Sequence, residues 1–198
     1  LVYNIMRKLP EDLENPFDNL IYKIVESVAP TLYEYGFTPN ILTTLGNIST
    51  LTFLYFMLNY QFQIAAFFFL LSYIFDCLDG YIARLYNMET KFGDWYDHIS
   101  DLTKTLLLFY TLLTINKKWG IYALIIIFIF SILLYIQICH QEIYYDKPEK
   151  SQSLNMLKFF NCGANKYNVH EYLNITKYFG CGTMNMIMVI IIFFYKKG

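Results

Sequence analysis

The sequence predicts an all-α integral membrane protein: a polytopic bundle of five to six transmembrane helices preceded by an amphipathic interfacial helix. Three observations lead there. The 198 residues are 56% hydrophobic and only 16% charged, too apolar for a soluble domain of this size. Apolar runs of close to twenty residues recur along the chain, the length needed to cross the hydrocarbon. Near the N-terminus, apolar and charged residues alternate at helical spacing.

That first element covers residues 16–36. Phe17, Leu20, Ile21, Ile24, Val25 and Val28 are set against Asp18, Lys23 and Glu26, the pattern of a helix lying at the membrane surface. Pro30 is expected to bend or end it. The opening stretch, Leu1 to Asn19, is polar and acidic and shows no cleavable signal pattern. Thr38-Pro39-Asn40 then marks a helix start, with proline in the first turn. A first span follows from about Asn40 to Leu58 and a second from about Phe62 to Tyr86. A third runs from about Phe92 to Ile115 and a fourth from Trp119 to about Cys139. Residues 141–170 are polar, a loop or surface helix, and a last apolar run ends at Tyr195. Two units result: an N-terminal interfacial segment, 1–38, and a membrane domain, 39–198.

Basic residues divide by side. Arg7, Lys8, Lys23, Arg84, Lys91, Lys147, Lys150, Lys158, Lys166 and Lys177 fall on one side of the predicted bundle. Lys117, Lys118, Lys196 and Lys197 fall on the other. The positive-inside rule places the first group in the cytosol. With net charge −1 and no basic stripe, no nucleic-acid partner is expected.

Two aspartate clusters interrupt the second and third spans: Asp76 and Asp79, then Asp94, Asp97 and Asp101. A carboxylate at bilayer depth costs about 2.5–3.5 kcal/mol, so Asp76, Asp79, Asp97 and Asp101 left unpaired would cost roughly 10 kcal/mol or more. Arg84 and Lys104 are the local cations and cannot neutralise four carboxylates. Spacings of three and four put each pair on one helix face, and a short turn would fold the two helices antiparallel and bring the pairs together. All-oxygen ligation selects hard cations, Mg²⁺ or Mn²⁺, and four carboxylates can share two ions. Gly80 removes a side chain where a substrate or helix must approach closely. Arg84, one turn on, can fork onto phosphate oxygens. Asp94 fits the water boundary better than a ligand position.

Other readings are weaker. Cys162, His170 and Cys181 match no zinc-ligand spacing, and Cys77 and Cys139 lie in apolar segments where free thiols behave as small hydrophobes. A membrane prenyltransferase would carry its two motifs on helices well separated in sequence. An intramembrane aspartyl protease would set its Tyr-Asp and Gly-Asp motifs on two facing helices, whereas Tyr96-Asp97 and Gly93-Asp94 overlap in one. A divalent-cation transporter could use the same carboxylates, but a fixed Arg beside a cation path opposes conduction.

The stretch Asp76-x-x-Asp79-Gly80-x-x-Ala83-Arg84, eight residues, Gly93-x-x-x-Asp97-x-x-x-Asp101 resembles, without departure, the signature of the CDP-alcohol phosphatidyltransferase family. Thr38-Pro39-Asn40-Ile41-Leu42-Thr43 is similar to the opening of that family's first span. The resemblance implies a six-helix membrane enzyme, usually a homodimer, of which five helices are legible in this chain. It implies transfer of a substituted phosphate group from a CDP-linked donor to an alcohol acceptor, one of them lipid, with release of CMP. Carried onto this chain, it makes Asp76, Asp79, Asp97 and Asp101 ligands of two Mg²⁺ or Mn²⁺ ions and Asp101 also the general base. Gly80, Arg84 and Thr90 would contact the CDP moiety, with Asn40 and Thr43 as further nucleotide-pocket candidates. The site would face the cytosol, in the endoplasmic reticulum or another internal membrane if the source is eukaryotic.

The resemblance leaves the donor open. CDP-diacylglycerol with a small polar alcohol is favoured slightly over CDP-choline or CDP-ethanolamine with diacylglycerol. Inositol-using members carry a basic residue directly after the last aspartate, where this chain has Leu102; glycerophosphate users have a Lys or Arg nearby, and Lys104 is a substitute for it. His98 after Asp97 resembles the choline and ethanolamine branch, but Tyr81-Ile82 departs from its Lys-Gln pair.

Overall fold

The computed structural model describes residues 9–145 and 163–197, and every regular element among them is helical. The helices are α1 (Pro16–Glu34), α2 (Pro39–Leu58), α3 (Phe62–Leu85), α4 (Lys91–Ile115), α5 (Lys117–Tyr145), α6 (Val169–Thr176) and α7 (Cys181–Phe193), with a 3₁₀ turn at Lys177–Phe179. Of the polar stretch expected at 141–170, residues 146–162 lie outside the described residues, and the helix of the fourth span continues to Tyr145.

Local chemistry explains the boundaries. Asn15 caps α1, its side chain accepting from Phe17 N and Asp18 N, with Pro16 at the first helical position. Pro30 does not end α1: the helix continues to Glu34 and stops where Gly36 takes φ +83°. Thr38 caps α2 through Ile41 N, again followed by proline. Thr90 caps α4 by accepting from Gly93 N at 3.0 Å. Asp94 falls in the first turn of α4, where the helix dipole favours an anion.

Among the described residues, four segments are long and apolar enough to span a bilayer: α2, α3, α5, and the run Val169–Phe193 that joins α6 to α7. The sequence predicted five spans. α4 is long enough at 25 residues, but Asp94, Asp97, Asp101 and Lys104 make its first half too polar to qualify on apolarity.

Three apolar clusters hold the described residues together, the smallest joining Leu9 and Leu13 to Val169 and Leu173 of α6. Phe53 and Met57 of α2, Phe69 of α3, Leu108 and Leu112 of α4, Ile127 of α5 and Met188 and Ile192 of α7 form the largest. At its end, Tyr195 donates its hydroxyl to Leu112 O and, at 3.0 Å, to Asn116 O. Lys196 lies over Trp119 and Lys197 over Tyr60, so the α2–α3 turn, the α4–α5 turn and the C-terminal lysines share one end of the molecule. The second cluster joins Ile21, Val25 and Ala29 of α1 to Leu42, Tyr73, Leu78 and Ile82.

Docking of α1 reassigns its faces. Asp18 belongs not to a solvated side but to the buried one, with Ile21, Val25 and Ala29, while Phe17, Leu20, Ile24 and Val28 point outward. Tyr73 Oη donates to Asp18 Oδ1, and Gly182 N donates to Oδ2 at 3.0 Å. Asn15 Nδ2 reaches Lys177 O at 2.6 Å and Thr183 Oγ1 at 2.8 Å. Gly182 is required here, since a Cβ would stand 2.7 Å from Asp18 N and 2.8 Å from Asp18 Oδ1. Among the cysteines, Cys77 is a free thiol as expected; Cys139 is not, being disulfide-bonded.

Burial, reinforced by Glu14, pushes the Asp18 carboxyl up to about 7, against a countering bond from Gly182 N. Because the folded value exceeds the unfolded one, near 4, this group's contribution to stability is complete below about pH 4 and is lost as pH rises toward 7. We expect Asp18→Asn to flatten the fall in thermal stability of the detergent-solubilised protein between pH 5 and 8, measured by melting curves at half-unit steps.

Candidate active site

The site follows from the course of three helices. A turn at residues 86–90, with Asn87 at φ +54°, sends the chain from α3 back along the bundle as α4. α3 and α4 touch one another little; α2 packs along both and leaves a cavity between them. The expected antiparallel pair is therefore splayed around a third helix.

Into that cavity project Asp76 and Asp79 from α3 and Asp97 and Asp101 from α4. One carboxylate oxygen from each of Asp76, Asp97 and Asp101 lies within 4.8 Å of the others, close enough for a single ion. Asp79 shares the cavity but is buried deeper, at 6% exposure, with its Oδ2 accepting from Thr43 Oγ1 at 2.6 Å. Lys104 Nζ stands 2.9 Å from Asp101 Oδ1 and is the cation among the described cavity-lining residues. An oxygen-only donor set with excess negative charge fits a hard divalent cation.

Of the other residues singled out in sequence, Thr43 alone lines the cavity. Gly80 faces the guanidinium of Arg84: a Cβ there would lie 3.1 Å from Nη1, so what approaches closely is the chain's own arginine. Arg84 occupies the last turn of α3, where the helix dipole favours a cation. The Thr90 side chain caps α4, and Asn40 Oδ1 comes to 3.3 Å of where a Gly93 Cβ would be, so Gly93 allows the start of α2 to approach α4. His98 is not a cavity residue; its ring is beside Asp94 and Asp97, at 4.0 and 3.7 Å.

The sequence reading missed the polar wall. Asn47 Nδ2 donates to Ser100 Oγ at 2.9 Å and to Tyr96 Oη at 3.2 Å, and Tyr96 Oη also meets Thr44 Oγ1 at 3.0 Å. Thr50 Oγ1 and Ser72 Oγ pair at 3.0 Å. The signal was present: Thr43, Asn47 and Thr50 recur at helical spacing within an apolar run, and Ser72 stands one turn before Asp76.

A CDP-alcohol phosphatidyltransferase family model matches residues 37–196. A CDP-diacylglycerol--glycerol-3-phosphate 3-phosphatidyltransferase of Cereibacter sphaeroides (strain ATCC 17023) is 40% identical over 67 residues, covering 32% of this chain and 30% of that relative. The chain thus aligns with less than a third of that protein's length. No solved structure matches the chain.

The wall yields a stability test. Asn47→Leu removes two side-chain bonds and leaves the Tyr96 and Ser100 hydroxyls short of a partner, so about 1–3 kcal/mol should be lost, measured by thermal or denaturant unfolding in detergent.

Proposed function

We propose, from the chain's place in the CDP-alcohol phosphatidyltransferase family, to which it belongs, that it transfers a phosphatidyl group from CDP-diacylglycerol to a small polar alcohol with release of CMP. The observation that carries this reading is the convergence of Asp76, Asp97 and Asp101 in one cavity with Asp79. Glycerol 3-phosphate is the proposed acceptor, supported by the name of the Cereibacter sphaeroides relative and by Leu102, which departs from the inositol pattern.

Asp76, Asp79, Asp97 and Asp101 would hold two Mg²⁺ or Mn²⁺ ions, whose Lewis acidity would spread the charge of the donor diphosphate and of the departing CMP. The chain's own groups do the rest. Thr43 fixes the Asp79 carboxylate by its 2.6 Å bond, preorganising the deepest ligand. Arg84, its guanidinium packed beside Gly80, offers its fork to phosphate oxygens of the donor. Thr90 and Asn40, which come together at Gly93 where α2 meets the start of α4, would contact the nucleotide. Asp101 takes the proton of the acceptor hydroxyl as its oxygen bonds to the phosphorus bearing diacylglycerol and the bond from that phosphorus to CMP breaks.

Residues 39–198 form the catalytic membrane domain in this reading and 1–38 its interfacial segment. The protein is a homodimer of an internal or cytoplasmic membrane. Its site opens to the cytosol, in keeping with lysines 117, 118, 196 and 197 at the opposite end.

The test is CMP release by purified protein with Mg²⁺ or Mn²⁺. CDP-diacylglycerol is offered with glycerol 3-phosphate, serine or inositol, and CDP-choline or CDP-ethanolamine with diacylglycerol. Turnover with the first pair and at least a 10²-fold loss in Asp101→Asn are expected. Turnover only with the CDP-amino-alcohol donors would transfer the chain to the other branch; Mn²⁺ flux into liposomes without CMP release would make it a transporter. Arg84→Ala should raise the donor KM more than it changes the metal requirement.

A further inference from the structure

Lys104 is the one element of the cavity that a cation-binding role leaves unexplained. It follows Asp101 by one turn of α4, its side chain is 12% exposed, and its Nζ sits 2.9 Å from Asp101 Oδ1. It lines the same cavity as Asp76, Asp79 and Asp97. A permanent positive charge inside a cation site repels the ion and occupies one of its ligands. Yet a group of carboxylates packed in an apolar bundle with nothing between them would repel each other, and an ammonium buried alone would be equally unfavourable. Each supplies what the other lacks.

We propose that Lys104 is the built-in counter-ion of the carboxylate cluster: it holds Asp101 in position while no divalent ion is bound and competes with the ion for that carboxylate. The inference rests on the metal-site reading given under Proposed function. Asp101 belongs both to the ion pair and to the three-carboxylate group, so an ion drawing on Asp76, Asp97 and Asp101 must share or displace the ammonium. Lysine suits such an exchange. Its charge is a point at the end of four rotatable carbons, and it can withdraw from Asp101 without moving α4, whereas a guanidinium would grip the carboxylate in a fork. The ammonium so displaced stays beside the reacting groups, where an anionic phosphate could take it up. A site preassembled in this way forgoes part of its ion affinity in return for remaining open and ordered before the ion arrives.

The test is Mn²⁺ binding to the full chain in detergent at pH 8, without substrate, read from the free-ion electron paramagnetic resonance signal. It is paired with melting curves in EDTA and in Mn²⁺. Lys104→Met keeps the length of the stem and removes the charge. It should bind Mn²⁺ at least tenfold more tightly than the unsubstituted protein, melt lower in EDTA, and gain more in melting temperature from Mn²⁺. Lys104→Arg should melt in EDTA like the unsubstituted protein and bind Mn²⁺ no more tightly. A Lys104→Met protein that folds only with Mn²⁺ supports the role, since its metal-free cluster has lost its cation. Should it fold under neither condition, Lys104→Gln carries the same comparison. Equal or weaker Mn²⁺ binding by the neutral variant overturns the counter-ion role alone. Absence of Mn²⁺ binding by the unsubstituted protein overturns the metal-site reading, and this inference with it.

Discussion

Four carboxylates confined between helices of an apolar bundle are the constraint from which the rest of this structure follows. Left to themselves they would drive α3 and α4 apart or take up protons, because ionised groups of like sign repel strongly where water is scarce. The fold answers with geometry before it answers with charge. α2 is placed between α3 and α4, and its inner face carries Thr43, Asn47 and Thr50, so each aspartate-bearing helix meets hydroxyls and an amide instead of hydrocarbon. The apolar contacts that hold α2 in place lie farther along, at Phe53, Met57 and Phe69. One helix thus serves as core at one end and as polar wall at the other.

The division is visible in the packing. Gly46 brings α2 close to α3, where an added Cβ would be 3.5 Å from Phe75 Cβ and 3.6 Å from Ser72 O. Gly93 does the same between α2 and the start of α4. Closeness on both sides of α2, with little contact between α3 and α4, leaves the opening in the one direction where the carboxylates point. That is the geometry a bridging cation and a diphosphate would need: two rows of acceptors facing across a gap, on a floor that cannot move without breaking two helix interfaces.

Much of this was legible in the sequence, and the parts that were not share a cause. Helix identity followed from apolar run length and, at the first span, from Thr38 and Pro39 at its start, which are local signals. The aspartate constellation was legible because charge inside an apolar run has few explanations. What escaped was anything decided between elements. Asp18 looked like the charged side of an interfacial helix because its own sequence neighbours could not reveal Tyr73 and Gly182, distant in the chain, converging on its two oxygens. Pro30 was expected to bend or end α1, yet the helix continues past it because packing of Val25 and Ala29 before it and Leu32 after it outweighs the missing bond. Asn47 and Ser100 were passed over because neutral polar residues in a span are common, and only their mutual bond marks them. α4 has the length of a span, but its first half is written for the cavity and not for lipid, so apolarity alone does not mark it.

The clasp around Asp18 ties the family-matched region to a segment before it. The family match begins at residue 37, after α1 has ended. Even so, α1 is not an appendage. Asn15 and Asp18 reach the backbone around Lys177 and Gly182, and the second bond to Asp18 comes from Tyr73, one turn before Asp76 on α3. Stacking of Tyr33 on Tyr86 fixes the other end of α1 near the close of α3, just past Arg84. Both ends of α1 are thus fastened to the helix that bears Asp76, Asp79 and Arg84, on either side of those residues. A helix clamped at two points resists rotation about its axis, and rotation is the motion that would carry Asp76 out of reach of Asp97 and Asp101. α1 therefore contributes to the site without lining it, by holding α3 at the angle on which the carboxylate cluster depends.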